Sequence, residues 1–180
     1  MKNYSSEGIV LARKNYGEAD RILILFTKQF GKVPVIAKGV RKLKSRKRGS
    51  IEVFSWIKFS AARTKGLDLV TEVELLDSFA DVRENLGKVS LAYYFLEVVG
   101  RVSQEREVNE EVFEVLGSHL NELRKSRNLK KLRASFIYSV LTALGFWPRG
   151  KVLKNPDGLL EEVLERKINS ERVGRKVLAM

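Results

Sequence analysis

The hydrophobic period of this chain changes once, near Phe79, and that change restricts the fold more than its composition does. Before it, apolar residues alternate. Ile51, Val53, Ser55, Ile57 and Phe59 fall on one side of an extended strand, and Glu52, Phe54, Trp56, Lys58 and Ser60 on the other. Leu67, Leu69, Thr71, Val73 and Leu75 alternate in the same way with Asp68, Val70, Glu72 and Glu74, one face buried and one largely wet. After it, three-and-four spacing takes over. Leu86, Val89, Tyr93, Leu96 and Gly100 form one stripe, Val112, Leu116, Leu120 and Leu123 a second, and Leu129, Leu132, Phe136, Val140 and Leu144 a third. Strands followed by amphipathic helices predict an α+β chain, with a β unit over residues 1–80 and an all-α unit over residues 81–180.

Five strands are expected in the first unit: Gly8 to Lys14, Asp20 to Lys28, Lys32 to Lys38, Ile51 to Ala62, and Leu67 to Phe79. Turn chemistry separates them at Asn15-Tyr16-Gly17-Glu18, Phe30-Gly31 and Arg63-Thr64-Lys65-Gly66. Five short antiparallel strands with a long insertion between the third and fourth fit a small closed barrel of OB type. An SH3-like barrel or a five-stranded meander would produce much the same string. In the second unit Asp81 and Asn109 are expected to cap the first two helices, and Phe146-Trp147-Pro148-Arg149-Gly150 to end the third. Asn155-Pro156-Asp157-Gly158 reads as a turn, followed by helical stretches over Leu159 to Lys167 and Glu171 to Leu178.

The insertion carries the charge. Lys38, Arg41, Lys42, Lys44, Arg46, Lys47 and Arg48 lie within it with no acid among them. Residues 1–65 hold 16 Lys/Arg against 4 Asp/Glu, whereas residues 66–180 hold 18 of each, so the whole net charge of +12 lies in the first third. A lone basic run can be a solvated loop, but this asymmetry gives one region a positive field that attracts a polyanion. Those seven residues, flanked by Arg13, Lys14 and Arg21, are the candidate phosphate contacts. Tyr16, Phe30, Phe54 and Trp56 are candidate stacking platforms for unpaired bases. Phe54 and Trp56, close to the change of period, are better read as a seam against the helices.

Several function classes find little support. Cysteine is absent, which removes disulfides and thiolate zinc sites and leaves the redox compartment open. The N-terminal residues Met1 to Glu7 lack the apolar segment of a signal peptide, and no apolar run approaches the ~18 residues needed to cross a bilayer, so a soluble, cytoplasmic chain is expected. His119, the one histidine, stands among Ser118, Asn121 and Glu122 and reads as a helix-surface residue with no role. Gly31-Lys32-Val33 lacks the hydroxyl of a phosphate loop, and the pairs Glu110-Glu111 and Glu161-Glu162 suit a solvated helix face. The expectation is a nucleic-acid-binding chain that is not an enzyme.

Beyond these patterns, Gly8-Ile9-Val10-Leu11, then Asn15 to Ile22 (NYGEADRI), then Leu25 to Lys32 (LFTKQFGK) resemble the N-terminus of the RecO recombination mediators. Ala37-Lys38-Gly39-Val40-Arg41, Lys44-Ser45-Arg46 and Arg48-Gly49 are similar to that family's basic segment. Glu72 to Asp77 (EVELLD) resembles its fifth strand, and Ala92-Tyr93-Tyr94 with Glu97 its first helix. The likeness runs in register over residues 7 to about 100, and more weakly through Leu144-Gly145-Phe146.

The resemblance implies an OB barrel followed by helices, ATP-independent binding of single- and double-stranded DNA, and annealing of complementary strands. It also implies work with RecR and the single-strand-binding protein in loading the RecA recombinase, at the nucleoid. Many members carry a four-cysteine zinc module after the stretch matching Leu144 to Pro148. Here the chain passes through Arg149-Gly150-Lys151 to Asn155-Pro156 without a cysteine, so neither zinc nor another cofactor is expected. The chain is short for the family, which puts in question the helical pocket for the tail of the single-strand-binding protein. Two other readings fit the same residues: an RNA-binding OB protein of the translation machinery, and a repair adaptor that holds partners without DNA affinity.

Overall fold

The computed structural model describes residues 3–45 and 47–166. Arg46 and the helix expected over Glu171 to Leu178 lie outside the described residues. Five strands, β1 (Asn3–Tyr16), β2 (Asp20–Thr27), β3 (Gly31–Ala37), β4 (Trp56–Ala62) and β5 (Asp68–Asp77), close into a barrel in the order β1-β2-β3-β5-β4. All neighbours are antiparallel except β3 and β5, which meet in parallel at Val35↔Asp68 and Ile36↔Leu69. That order and that one parallel pair are the OB arrangement, and they exclude the meander.

The barrel interior is filled from alternate positions, including Val10, Leu23, Leu25, Val33, Val35, Ile57, Phe59 and Val70. The outer side of β1 is also covered. Ile9 and Leu11, with Phe26, Val53 and Phe54, join the core that the helices build. Residues 8–11 are therefore buried on both faces.

The helices are α1 (Ala80–Arg83), α2 (Leu86–Val102), α3 (Glu110–Lys125), α4 (Leu129–Ala143) and, after a loop, helical backbone through residues 156–166. Asparagine begins most of them. The side chains of Asn85, Asn109 and Asn128 accept from the backbone N–H of Lys88, Val112 and Lys131 at 3.0, 2.9 and 2.9 Å, bonds that contribute about 1 kcal/mol each. Asn155 does the same for Gly158 at 3.0 Å, with Pro156 at the first helical position, so the expected turn is a helix start. The third expected helix stops earlier than Phe146. Gly145 adopts φ 79°, and the N–H groups of Phe146 and Gly145 return to the carbonyls of Leu141 and Thr142 at 2.8 and 3.0 Å, closing a Schellman motif.

Three local expectations are corrected. The fourth strand begins at Trp56, not Ile51, because alternation fails where Val53, Phe54 and Ser55 are buried in succession. Phe54 takes φ 55°, which turns its ring out of the barrel to meet Tyr93 edge-on at 5.9 Å and the Arg83 guanidinium at 3.8 Å. In β5 the register slips between Ser60 and Ala61, so that Ser60 faces Glu72 and Ala61 faces Val70. Asp68 and Val70 therefore point inward, whereas the uninterrupted period of two would place them outside. Asp81 caps nothing. The chain enters α1 from Phe79 in the left-handed region, and Asp81 instead pairs with Arg124 at 3.1 Å.

His119 is corrected as well, since it is 6% exposed. Its Nδ1 lies 2.8 Å from the Val115 carbonyl and its ring meets Phe95 and Phe136 edge-on at 6.0 and 5.4 Å. It is a packed, hydrogen-bonded core residue. The cause is the width of the buried arc on α3, which faces the barrel through Phe113 and Gly117 as well as the other helices through Leu116, His119, Leu120 and Leu123. Trp56 supplies the barrel's side of that contact, its ring edge-on to Phe113 at 5.7 Å. Phe54 and Trp56 thus form the expected seam.

The connection between α2 and α3 crosses the barrel beside β3. The backbone N–H of Arg106 donates to the Lys32 carbonyl at 2.9 Å, Lys32 Nζ donates to the Gly100 carbonyl at 2.7 Å, and Arg106 reaches buried Asp68 at 3.3 Å. Tyr4 also donates to Asp68, at 2.9 Å. Burial, then the hydrogen bond to Asp68 and the charge of that carboxylate, push the Tyr4 hydroxyl up to about 12. Barrel and helices are tied again by Lys28, just after β2, which pairs with Glu110 and Glu114 of α3 at 3.3 and 2.8 Å.

Candidate nucleic-acid interface

The basic insertion leaves β3 at Ala37 and folds as a run of tight turns. Backbone N–H groups of Lys42, Ser45, Arg48 and Ser50 return to the carbonyls of Gly39, Lys42, Ser45 and Lys47 at 3.2, 3.0, 3.5 and 3.1 Å. Two apolar side chains pin it to the barrel: Val40 and Ile51 are wholly buried in the barrel core. Val40 and Ile51 face the barrel, whereas Lys38, Lys42, Lys44 and Arg48 are exposed.

It is also joined to the β1–β2 turn. The Gly39 N–H donates to Asp20 Oδ1 at 2.8 Å, the Arg41 N–H to the Ala19 carbonyl at 2.9 Å, and the Arg41 guanidinium to the Gly17 carbonyl at 3.1 Å. Gly39, at φ 67°, permits the sharp exit from β3 that these bonds need. Two loops distant in sequence therefore make one continuous surface at the barrel end.

The candidate cations divide into two groups on that surface. Lys14, Lys38, Lys42, Lys44 and Arg48 are exposed, and their side chains make no hydrogen bond or ion pair with another described residue. Four other described candidates are engaged. Lys47 Nζ donates to the Thr71 carbonyl at 2.6 Å, fastening the insertion to β5. Arg41 holds the turn, as described. Arg13 and Arg21 both pair with Glu52, at 2.9 and 3.3 Å, so that a single carboxylate offsets the cations flanking the run. The sequence puts all ten candidates on equal terms and does not reveal Glu52, Asp20 and Val40, whose parts are to neutralise, to clamp and to anchor. Val40, the one branched apolar residue between Gly39 and Arg41, is the available signal.

The aromatic candidates separate as sharply. Phe54 and Trp56 are in the seam, and Phe30 packs on Tyr4 with ring centroids 4.6 Å apart. Tyr16 alone of the four is solvent-facing, at 54% exposure.

Residues 1–79 match the family model described as recombination protein O, N terminal, and residues 83–151 the model described as recombination protein O, C terminal. The chain belongs to the RecO family. It is 33% identical over 144 residues to the DNA repair protein RecO of Alkaliphilus metalliredigens, an alignment covering 79% of this chain and 58% of that one. The corresponding protein of Pelotomaculum thermopropionicum is 34% identical over 148 residues, covering 82% and 57%, and that of Rubrobacter xylanophilus 37% over 150, covering 83% and 60%. The chain therefore spans a little under three-fifths of the length of the first two of these relatives.

The basic insertion and the β1–β2 turn both fall inside the N-terminal RecO match, and α2 to α4 inside the C-terminal one. The four-cysteine zinc module that many members carry does not fit these residues, because the sequence has no cysteine and the described residues hold no group of three or more His, Cys, Asp or Glu placed to share an ion. Among the described residues no helix is long and apolar enough to cross a membrane.

Proposed function

We propose that this chain is a non-enzymatic, DNA-binding mediator of recombinational repair, with residues 1–80 as the DNA-binding unit and residues 81–180 as a helical unit that supports it. The carrying observation is the set of exposed cations Lys14, near the end of β1, and Lys38, Lys42, Lys44 and Arg48, in and beside the insertion that is stitched to the β1–β2 turn of an OB barrel. Ammonium and guanidinium groups on such a surface meet phosphates and release counterions without reading bases, so binding is sequence-independent and accepts single and double strands. Neutralising two strands on one surface lowers their mutual repulsion and promotes annealing. His119 is packed in the core, and two carboxylates of this surface, Asp20 and Glu52, are held by the Gly39 N–H and by Arg13 and Arg21. The naming of the relatives as DNA repair proteins supports the role in repair, and family membership supports RecR, the single-strand-binding protein and, indirectly, a RecA-type recombinase as partners, at the nucleoid in the cytoplasm.

The test is annealing of two complementary labelled oligonucleotides, followed by energy transfer, with the intact protein and with Lys38, Lys42, Lys44 and Arg48 changed together to Ala. The proposal expects acceleration by the intact protein and its loss in the variant at low salt. Equal acceleration by both would remove the basic surface from the mechanism. Faster annealing of RNA than of matched DNA strands would favour the translation reading, and partner capture without any strand binding the adaptor reading.

A further inference from the structure

The cationic surface carries two apolar groups that phosphate binding does not explain. Tyr16 is 54% exposed at the end of β1, and Leu43, between Lys42 and Lys44 in the insertion, is 92% exposed. Scattered apolar residues are common on surfaces, but these two flank the junction that Arg41 makes, Tyr16 one residue before its contact at Gly17 and Leu43 two residues after Arg41 itself. Tyr16 is held in place. It is the last ladder pair of β1, opposite Asp20, whose carboxylate is clamped by the Gly39 N–H. Lys14 shares its strand face two residues earlier, so a cation and a ring are presented side by side.

We propose that Tyr16 is a stacking platform for an unpaired nucleobase, with Leu43 as the apolar group that packs beside it, and that the surface thereby prefers single-stranded to duplex DNA. This rests on the DNA-binding reading above and adds the part of the ligand it contacts. Every base has a π-face, so stacking on a tyrosine ring is sequence-tolerant and consistent with a surface that reads no base edges. In a duplex the faces are occupied by neighbouring bases, and only the phosphates remain for this surface. Unpaired bases satisfy both sets of groups at once: phosphates on Lys14, Lys38, Lys42, Lys44 and Arg48, and a base on Tyr16 and Leu43.

An abasic strand separates the two contributions, since it keeps phosphates and sugars and lacks bases. Fluorescence anisotropy with the full chain compares a labelled oligothymidylate and an abasic strand of equal length, using wild type, Tyr16→Phe, Tyr16→Ala and Tyr16→Ala/Leu43→Ala. At a stacking contribution of 1 to 3 kcal/mol per base, Tyr16→Ala is expected to bind oligothymidylate roughly 5- to 150-fold more weakly. Its affinity for the abasic strand and its salt slope are expected to be unchanged. Tyr16→Phe keeps the preference, and the double variant binds both strands alike. The inference is overturned if wild type binds the two strands equally, or if Tyr16→Ala weakens both by the same factor. Binding of neither strand by wild type would instead overturn the DNA-binding reading on which it rests.

Discussion

Gly31 is the position where the packing of the helical connection on the barrel can be measured. Its φ of 65° favours glycine, and a Cβ there would lie 2.1 Å from the Glu107 carbonyl oxygen and 2.5 Å from its carbon. Alanine in the left-handed region costs about 1–2 kcal/mol on its own. The contact cannot be relieved by a side-chain rotation, because the neighbour is backbone. The connection must move by about 1 Å, which breaks the 2.9 Å bond from the Arg106 N–H to the Lys32 carbonyl and draws Arg106 from buried Asp68. Those losses add roughly 2 kcal/mol. Gly31→Ala is therefore expected to destabilise by about 3–4 kcal/mol in urea unfolding. Gly17→Ala is the control, since Gly17 has φ 54° and a Cβ there would meet nothing within 4 Å; it should cost only the backbone part, about 1–2 kcal/mol. If the two variants fell within about 0.5 kcal/mol of each other, the close approach of residues 103–109 to the barrel would be refuted.

Three further outcomes follow from the seam and the buried polar groups. Gly117→Ala places a methyl 2.9 Å from two ring carbons of Trp56, so it should destabilise despite a helix-propensity gain of about 1 kcal/mol; in a Trp56→Leu background the same change should become stabilising, and an unchanged sign would sink the contact. Arg124 bonds Asp77 at 2.6 Å and Asp81 at 3.1 Å and lies 4.7 Å over the Phe79 ring, latching the barrel's exit to α3; Arg124→Ala should cost about 1–2 kcal/mol, and a loss below about 0.5 kcal/mol would show the latch to be idle. The Tyr4 hydroxyl, at about 12 in the fold against 10.0 in the open chain, keeps its proton on folding, so its contribution is fully present below pH 10 and is lost as pH rises from 10 through 12. Melting temperature should thus fall less steeply over that interval in Tyr4→Phe than in wild type, and parallel profiles would contradict the assignment.

The strands are legible because a half-buried barrel strand writes its two faces into alternate residues, as at Ile57, Lys58 and Phe59. What interrupts that alternation is not legible. The slip opposite Thr71 and the left-handed Phe54 are set by how β4 and β5 meet and by the space between Tyr93 and Arg83, which are contacts across the fold. His119 reads wrongly for a related reason: a helix packed on two sides has a wider buried arc than one apolar stripe reveals, and Phe113 and Gly117 are the residues that announce the second side. In the candidate interface the charge is visible and its distribution is not. Glu52 looks like one acid on a strand, yet it meets both Arg13 and Arg21, while Lys47 is engaged by the Thr71 carbonyl. Pairing of this kind depends on which loops lie side by side, and only the closed barrel brings them together.

Five exposed cations, Lys14 near the end of β1 and Lys38, Lys42, Lys44 and Arg48 in and beside the insertion, are proposed to hold the phosphates of DNA, and the salt dependence of single-strand affinity tests this most directly. With a slope of about −0.7 per contact, five contacts give a log–log slope near −3.5, or roughly a 130-fold loss of affinity between 50 and 200 mM salt. Changing Lys38, Lys42, Lys44 and Arg48 to Ala leaves Lys14, and the slope should flatten to about −0.7, a loss of roughly threefold over the same interval. A slope near −3.5 that survives the four substitutions, or a wild-type affinity indifferent to salt, would contradict the account.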